Sequence, residues 1–208
     1  MAVVGIVPAA GRGERLGGDV PKAFAVCAGR PLIEWSLGVL EAVCDRVVVA
    51  VPPGHETGPD RVTGGASRSE SVRLALAAAP EASIVVVHDA ARPLVTRALV
   101  EACVAAVGDG FDGAVAAAPV SDTIKEAGEE GRVLRTLDRS RLWAIQTPQA
   151  FVADVLRRAL EHGDLATATD DASLVEAAGG AVRVVEAPPE NFKVTSHVDL
   201  ALAETLLC

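Results

Sequence analysis

Continuous runs of Val, Ile and Ala recur along the chain at 3–7 (VVGIV), 46–51 (RVVVAV), 83–89 (SIVVVHD), 113–120 (GAVAAAPV) and 181–187 (AVRVVEA). The early runs are apolar at nearly every position, the pattern of strands buried on both faces of a parallel sheet. Between them the period changes. Ile33, Leu37 and Leu40 mark one helical face, Val72, Ala75, Leu76 and Ala79 a second, and Leu99, Cys103 and Ala106 a third. A closing amphipathic helix is expected after Thr195 or Ser196 as N-cap. Alternation of strand and helix predicts a three-layer α/β fold, Rossmann-like and mostly parallel, with right-handed crossovers. Ligands in such sheets bind at the carboxyl ends of the strands. Pro-Pro at 52–53 and 188–189 reads as turns, and no repeat or low-complexity linker interrupts the chain. One domain over residues 1–208 is therefore expected.

One segment breaks the rhythm. In SDTIKEAGEEGRVLRTLDRS, β-like stretches around Ile124 and from Val133 to Leu137 flank the polar turn Gly128-Glu129-Glu130-Gly131. That is a hairpin signal, and a two-stranded hairpin alone in water is marginal. Residues 121–141 are expected to form a protruding β-hairpin arm that packs on its own domain or on a second subunit.

The first strand runs into PAAGRGERLGGDVPKAF, where four glycines fall within eight positions and Arg12, Arg15 and Lys22 lie among or just beyond them. Glycines permit close backbone approach, and free N–H groups with cationic side chains cradle phosphate. Two familiar phosphate loops are excluded. The P-loop requires Gly-Lys-Ser/Thr, whereas Lys22 lies between Pro21 and Ala23. The dinucleotide fingerprint requires Gly-x-Gly-x-x-Gly, whereas Gly11, Gly13 and Gly17 are one residue too wide, and no acidic residue closes the second strand.

Composition narrows the partners. A net charge of −9 over 208 residues argues against nucleic acid. No apolar run approaches the roughly twenty residues of a membrane span, and no signal peptide is evident, so a cytoplasmic protein is expected. Cys27, Cys44, Cys103 and Cys208 show neither a C-x-x-C pair nor metal-ligand spacing, and read as thiols in a reducing compartment. Sixteen arginines stand against three lysines, Lys22, Lys125 and Lys193. A chain that uses Arg nearly everywhere can be expected to keep Lys where a compact ammonium is needed.

Other loops could carry chemistry. GGASRSESV (64–72) is a glycine-rich turn entering a helix that Ser67 or Ser69 could cap, with N–H groups suited to an anion or a base edge. In HDAARP (88–93), Asp89 suits Mg²⁺ or a ribose hydroxyl and equally suits a cap. Arg92 reads as well as an ion-pair partner, and His88 as a hydrogen-bonded core histidine.

Taken in order, PAAGRGERLG…PKAF, GGxxRxxSV at 64–72, VHDAARP at 87–93, PVSDTIK at 119–125, Asp138-Arg139, TPQAF at 147–151 and NFKVT at 191–195 resemble the 2-C-methyl-D-erythritol 4-phosphate cytidylyltransferases of the non-mevalonate isoprenoid pathway. The first loop is shared by many nucleotidyltransferases, whereas VHDAARP with NFKVT is highly specific. All three lysines fall inside matched motifs. The chain has Pro21-Lys22-Ala23 where the family usually has Pro-Lys-Gln.

The resemblance implies that the phosphate of the acceptor attacks the α-phosphorus of CTP and expels pyrophosphate. No enzymic nucleophile is then needed, in keeping with the absence of any Ser/His/Asp or Cys/His constellation. Catalysis would come from alignment and charge neutralisation. By the same resemblance Arg15 and Lys22 act at the α-phosphate, and Arg139 and Lys193 hold the methylerythritol phosphate. Ala9, Ala10, Gly11, Gly13, Gly65 and Ser71 hold the nucleotide, with Asp89, Ala90 and Arg92 along its ribose and phosphates. Thr123 and Thr147 contact the second substrate. Magnesium rides mainly on the triphosphate, with Asp89 the nearest protein candidate. A homodimer is implied, its hairpin arms reaching across so that Arg139, with Thr123 and Lys125, completes the neighbour's site. The competing readings are a nucleotidyltransferase with another nucleotide or acceptor, and a non-catalytic nucleotide-binding protein. Retained Arg15, Lys22, Arg139 and Lys193 weigh against the second.

Overall fold

The computed structural model describes residues 1–11 and 21–208. In chain order the strands are β1 (Val3–Pro8), β2 (Val26–Cys27), β3 (Arg30–Pro31), β4 (Arg46–Val51), β5 (Arg61–Thr63), β6 (Ile84–Val87), β7 (Gly113–Pro119), β8 (Lys125–Ala127), β9 (Val133–Thr136), β10 (Trp143–Val152) and β11 (Val182–Glu186). The helices are α1 (Leu32–Glu41), α2 (Arg68–Ala77), α3 (Arg97–Ala105), α4 (Ala153–His162), α5 (Asp171–Ala177) and α6 (His197–Leu207).

Seven strands form one sheet in the order β11-β7-β10-β6-β1-β4-β5. All neighbours are parallel except β10, which runs antiparallel to both β6 and β7. The period-2 geometry of a strand sends alternate side chains to opposite faces, and both faces of the central strands are covered. Val4, Ile6, Val48, Ala50, Val85 and Val87 pack with α2, α4 and α5. Val7, Val47, Val49, Val51 and Val86 pack with α1 and α3 on the other side. Alanines intersperse the Val, Leu and Ile of both cores: Ala75, Ala79, Ala153, Ala159 and Ala172 in one, Ala90, Ala116, Ala150 and Ala187 in the other. A smaller cluster of Cys27, Leu32, Val194 and Ala203 seats α6. Cys27, Cys44 and Cys103 are buried free thiols, and Cys208 is exposed and free.

Local chemistry sets the helix starts. Ser67, not Ser69, caps α2 by accepting from the Glu70 N–H at 3.1 Å. Ser196, not Thr195, caps α6 in a reciprocal box with Asp199. Each satisfies a backbone donor that a helix N-terminus would otherwise leave open.

Strands β2, β3, β5 and β10 and helices α4 and α5 lie outside the sequence reading. The strand β5 is short and only half-buried. Helix α4 presents Leu156, Ala159 and Leu160 at helical spacing and buries all three, a periodicity that the sequence does carry.

The hairpin of β8 and β9 forms its own two-stranded sheet, apart from the main one. Its apolar residues Val133 and Leu134 are exposed, as are Trp143 and Ile145 where β10 leaves the arm. Of the two placements open to it, the arm does not take the first: it is not packed on its own chain among the described residues.

Phe151 is the largest fully buried side chain among the described residues. Its ring fills the space above Gly113, where an added Cβ would come within 2.5 Å of it. Phe151→Ala should cost about 3–5 kcal/mol of unfolding free energy in urea titrations, the usual cost of an aromatic-sized core cavity.

Candidate active site

A cleft of about 800 Å³ opens at the carboxyl ends of β1 and β6 and is lined by the first glycine-rich segment, the turn before α2, the segment after β6, and Lys193. Its walls are drawn together closely. A Cβ at Gly64 would sit 2.3 Å from Cβ of Ala10, so only glycine permits this approach. Next to it the Gly65 N–H donates to Ser71 Oγ at 3.0 Å, and the Ser71 hydroxyl donates to the Ser67 carbonyl at 2.9 Å. Lys22 opens a short 3₁₀ turn, Lys22–Phe24. Among the described lining residues three cations, Lys22, Arg68 and Lys193, stand against the single carboxylate of Asp89.

Asp89, buried at the end of β6, is the electrostatic centre. Lys193 Nζ donates to Oδ2 at 2.7 Å and Arg68 Nε to Oδ1 at 3.1 Å, while Arg92 Nε lies 4.0 Å away. Burial works to raise its carboxyl, but Arg68, then Lys193 and Arg92, hold it well below the usual carboxylate range. Arg68 reaches further, donating to the enclosed Asp171 Oδ2 at 2.6 Å. Burial disfavours the Arg68 charge, yet the two carboxylates more than offset it and raise its pKa.

Behind Lys193 lies a second cavity of about 420 Å³, lined by Arg92, Gln146, Thr147 and Gln149 from one side and Asp170 and Ser173 from the other. Asn191 fixes this corner: its side-chain amide donates to Thr147 O at 2.9 Å and its backbone carbonyl accepts from Arg92 Nη1 at 2.7 Å. The Val194 N–H donates to Ala91 O at 2.8 Å, which sets the position of neighbouring Lys193.

The family profile for 2-C-methyl-D-erythritol 4-phosphate cytidylyltransferase matches residues 3–208. The chain belongs to this family. It is 47% identical to the cytidylyltransferase of Frankia casuarinae over 99% of this chain and 81% of that protein. It is 45% identical to that of Saccharopolyspora erythraea over the full length of both. The crystal structure of the Thermus thermophilus cytidylyltransferase superposes with a TM-score of 0.83 at 37% identity, covering 99% of this chain and 98% of that one.

Against the cytidylyltransferase motifs, the described residues of the glycine-rich loops converge: Ala9, Ala10, Gly11, Lys22, Gly65, Ser71, Asp89, Ala90 and Lys193 all line the main cleft. Arg15 and Gly13 lie outside the described residues. Arg92 lines the second cavity rather than the first. Thr147 lines it too, but its hydroxyl is already engaged, accepting from the Asp89 N–H at 3.0 Å and lying 3.1 Å from His88 Nδ1. Lys193, from the late NFKVT motif, stands in the same cleft as Lys22, because the late loop folds back over β6. Arg139 and Thr123 are exposed on the arm and line neither cavity; the Arg139 guanidinium donates to the Ser121 carbonyl.

Asp89, the metal candidate of the sequence, is ion-paired in this structure. Both of its oxygens are taken by cations, and no three His, Cys, Asp or Glu side chains converge among the described residues. Residues that sequence reasoning passed over are Arg68, Asp171 and Gly64. Arg68 was visible as the arginine inside GGASRSESV. Asp171 in ATDDASL resembles any helix-start acid, so only the fold shows that it is enclosed.

His88 is a core histidine. Its backbone N–H donates to Ile6 O at 2.9 Å, its Nε2 lies 3.2 Å from Arg92 O, and Asp89, Arg92 and Arg68 surround it. Burial pushes its pKa from 6.5 down to about 4. The unfolded chain therefore binds the proton first as pH falls, and stability drops between about 6.5 and 4, by up to about 3 kcal/mol from this group. The strengthening of Asp89 by its cations is lost only below the ordinary carboxylate range, outside that window. Urea unfolding across pH 4–7 should show this slope, reduced by about one proton in His88→Asn.

Proposed function

We propose that the main cleft binds CTP and that its outer corner at Lys193 receives 2-C-methyl-D-erythritol 4-phosphate, in the family reaction that gives 4-diphosphocytidyl-2-C-methyl-D-erythritol and pyrophosphate. What carries this reading is the concentration of Lys22, Arg68 and Lys193 around one cleft of an acidic chain. Only a polyanionic ligand gains from such an arrangement. The backbone at Ala9, Ala10, Gly11 and Gly65 lies on one wall and suits cytosine and ribose.

The chemistry needs no protein nucleophile. A phosphate oxygen of the acceptor forms a bond to the α-phosphorus while the α-phosphorus–oxygen bond to the β-phosphate breaks, and pyrophosphate leaves with the electron pair. Charge builds on the α-phosphate and the leaving group, where Lys22 and, by its motif, Arg15 offset it. Lys193, steadied by Asp89, holds the attacking phosphate in line. We infer that Mg²⁺ travels on the triphosphate oxygens and not on Asp89, whose charge is already shared out.

The arm belongs to a second copy in this reading. Val133, Leu134, Trp143 and Ile145 are exposed apolar residues on and beside the arm that gain from a partner, and a homodimer would bring Arg139, Thr123 and Lys125 to the neighbour's Lys193 corner.

Pyrophosphate release across a panel of nucleoside triphosphates and acceptor phosphates tests the assignment, and release only with CTP and methylerythritol phosphate is expected. Lys22→Ala should lower kcat about 10²-fold with an unchanged unfolding transition, as for the loss of a transition-state donor. Turnover near wild type would return Lys22 to a surface role. Shortening the turn at 128–131 should weaken the dimer in sedimentation and reduce activity together. A fully active monomer in the intact protein would exclude a site completed in trans.

A further inference from the structure

Two carboxylates share one guanidinium beneath the cleft, and the sharing is uneven. Arg68 presents Nε to Asp89 Oδ1 at 3.1 Å and Nη1 to Asp171 Oδ2 at 2.6 Å. The planar fork of an arginine can grip both oxygens of one carboxylate at once. Here it is split between two, which leaves Asp89 Oδ2 to Lys193 at 2.7 Å. Among the described residues, Asp171 touches neither cavity, is fully enclosed, and leaves its second oxygen Oδ1 without a partner. Enclosing a carboxylate with half its acceptors unmet works against stability, so its contribution to folding alone gives little account of it.

We propose that Asp171 is a positioning residue for the acceptor phosphate: by holding one edge of Arg68 it keeps that guanidinium from closing on both oxygens of Asp89, and so reserves Oδ2 for aiming Lys193 into the cleft. The proposal rests on the assignment of Lys193 to the acceptor. It requires no contact between Asp171 and substrate. Neutralising Asp171 frees the second edge of Arg68, the fork turns wholly onto Asp89, and Lys193 is displaced from it.

The chain contains three lysines, so labelling with [ε-¹³C]lysine gives a spectrum of three signals, assigned by Lys→Arg replacement. In Asp171→Asn without substrate, the Lys193 signal should move while that of Lys125, out on the arm, stays. In turnover, KM for methylerythritol phosphate should rise about tenfold, with the directly measured Kd for CTP changed less than about threefold. If Asp171 acts through Arg68, adding Asp171→Asn to Arg68→Gln should change KM no further. An unmoved Lys193 signal, or additive effects in the double variant, overturns the proposal. Should Asp171→Asn fail to fold, the neutral pair Arg68→Gln/Asp171→Asn leaves no enclosed charge unpaired and is compared with Arg68→Gln alone: the same Lys193 signal in both supports action through Arg68, and a further shift in the pair overturns the proposal. A wild type inactive with CTP and methylerythritol phosphate would instead defeat the assignment of substrates, while the lysine spectrum still decides whether Asp171 governs Lys193.

Discussion

The carboxylate of Asp89 ties together four parts of the chain that have no sequence proximity. It sits where β6 ends, takes Arg68 from the start of α2, Lys193 from the late loop and Arg92 from its own turn, and through Arg68 it is joined to Asp171 at the start of α5. A buried charge of this kind is tolerable only while its partners stay in place. The arrangement therefore works as a constraint on the whole cleft: the turn before α2, the late loop at Lys193 and the helix layer beneath can be formed only in register with one another. The cations outnumber the acids around it, which leaves room for an anionic substrate.

The sheet explains why the constraint falls where it does. Parallel strands β1 and β6 deliver their carboxyl ends to one edge, and the two glycine-rich segments meet there because Gly64 lets the backbone pass against Ala10. The one antiparallel member, β10, enters from the opposite direction. It starts in the exposed arm and ends in the core at Phe151, passing Thr147 and Gln149 beneath the second cavity on the way. A single strand thus links the arm to the floor of the site.

Much of this was legible in the sequence, for identifiable reasons. Strands buried on both faces announce themselves through unbroken Val/Ile/Ala runs, and the matches at 3–7, 46–51, 83–89 and 113–120 follow from that, whereas β11 within 181–187 is a largely exposed edge strand that its valines alone betray. The glycine-rich turns and VHDAARP carried the cleft, since glycine and short polar residues after strands have few other uses in such density. Long-range charge sharing was not legible. Arg68 and Asp171 lie 103 positions apart, and nothing local marks an arginine as one that will span two acids. The placement of Lys193 in the same cleft as Lys22 was hidden for the same reason: position along the chain says little about which strand end a late loop will cover. The capping choices between Ser67 and Ser69, or Thr195 and Ser196, turned on one or two residues of helix phase, which periodicity cannot resolve.

The two cores flanking the sheet are assembled to an unusual degree from alanine, and aromatic residues make up only 3% of the chain. Alanine has no side-chain rotamers to adjust, so helices over such a sheet sit close and have no slack with which to absorb extra volume. The consequence is an asymmetry in mutational tolerance. Trimming an alanine has little to remove, whereas enlarging one, as in Ala75 or Ala150 to a branched side chain, strains the packing of helix on sheet because its alanine neighbours cannot swing aside. Sequence drift in the interior of this molecule is bounded from above in size more tightly than from below.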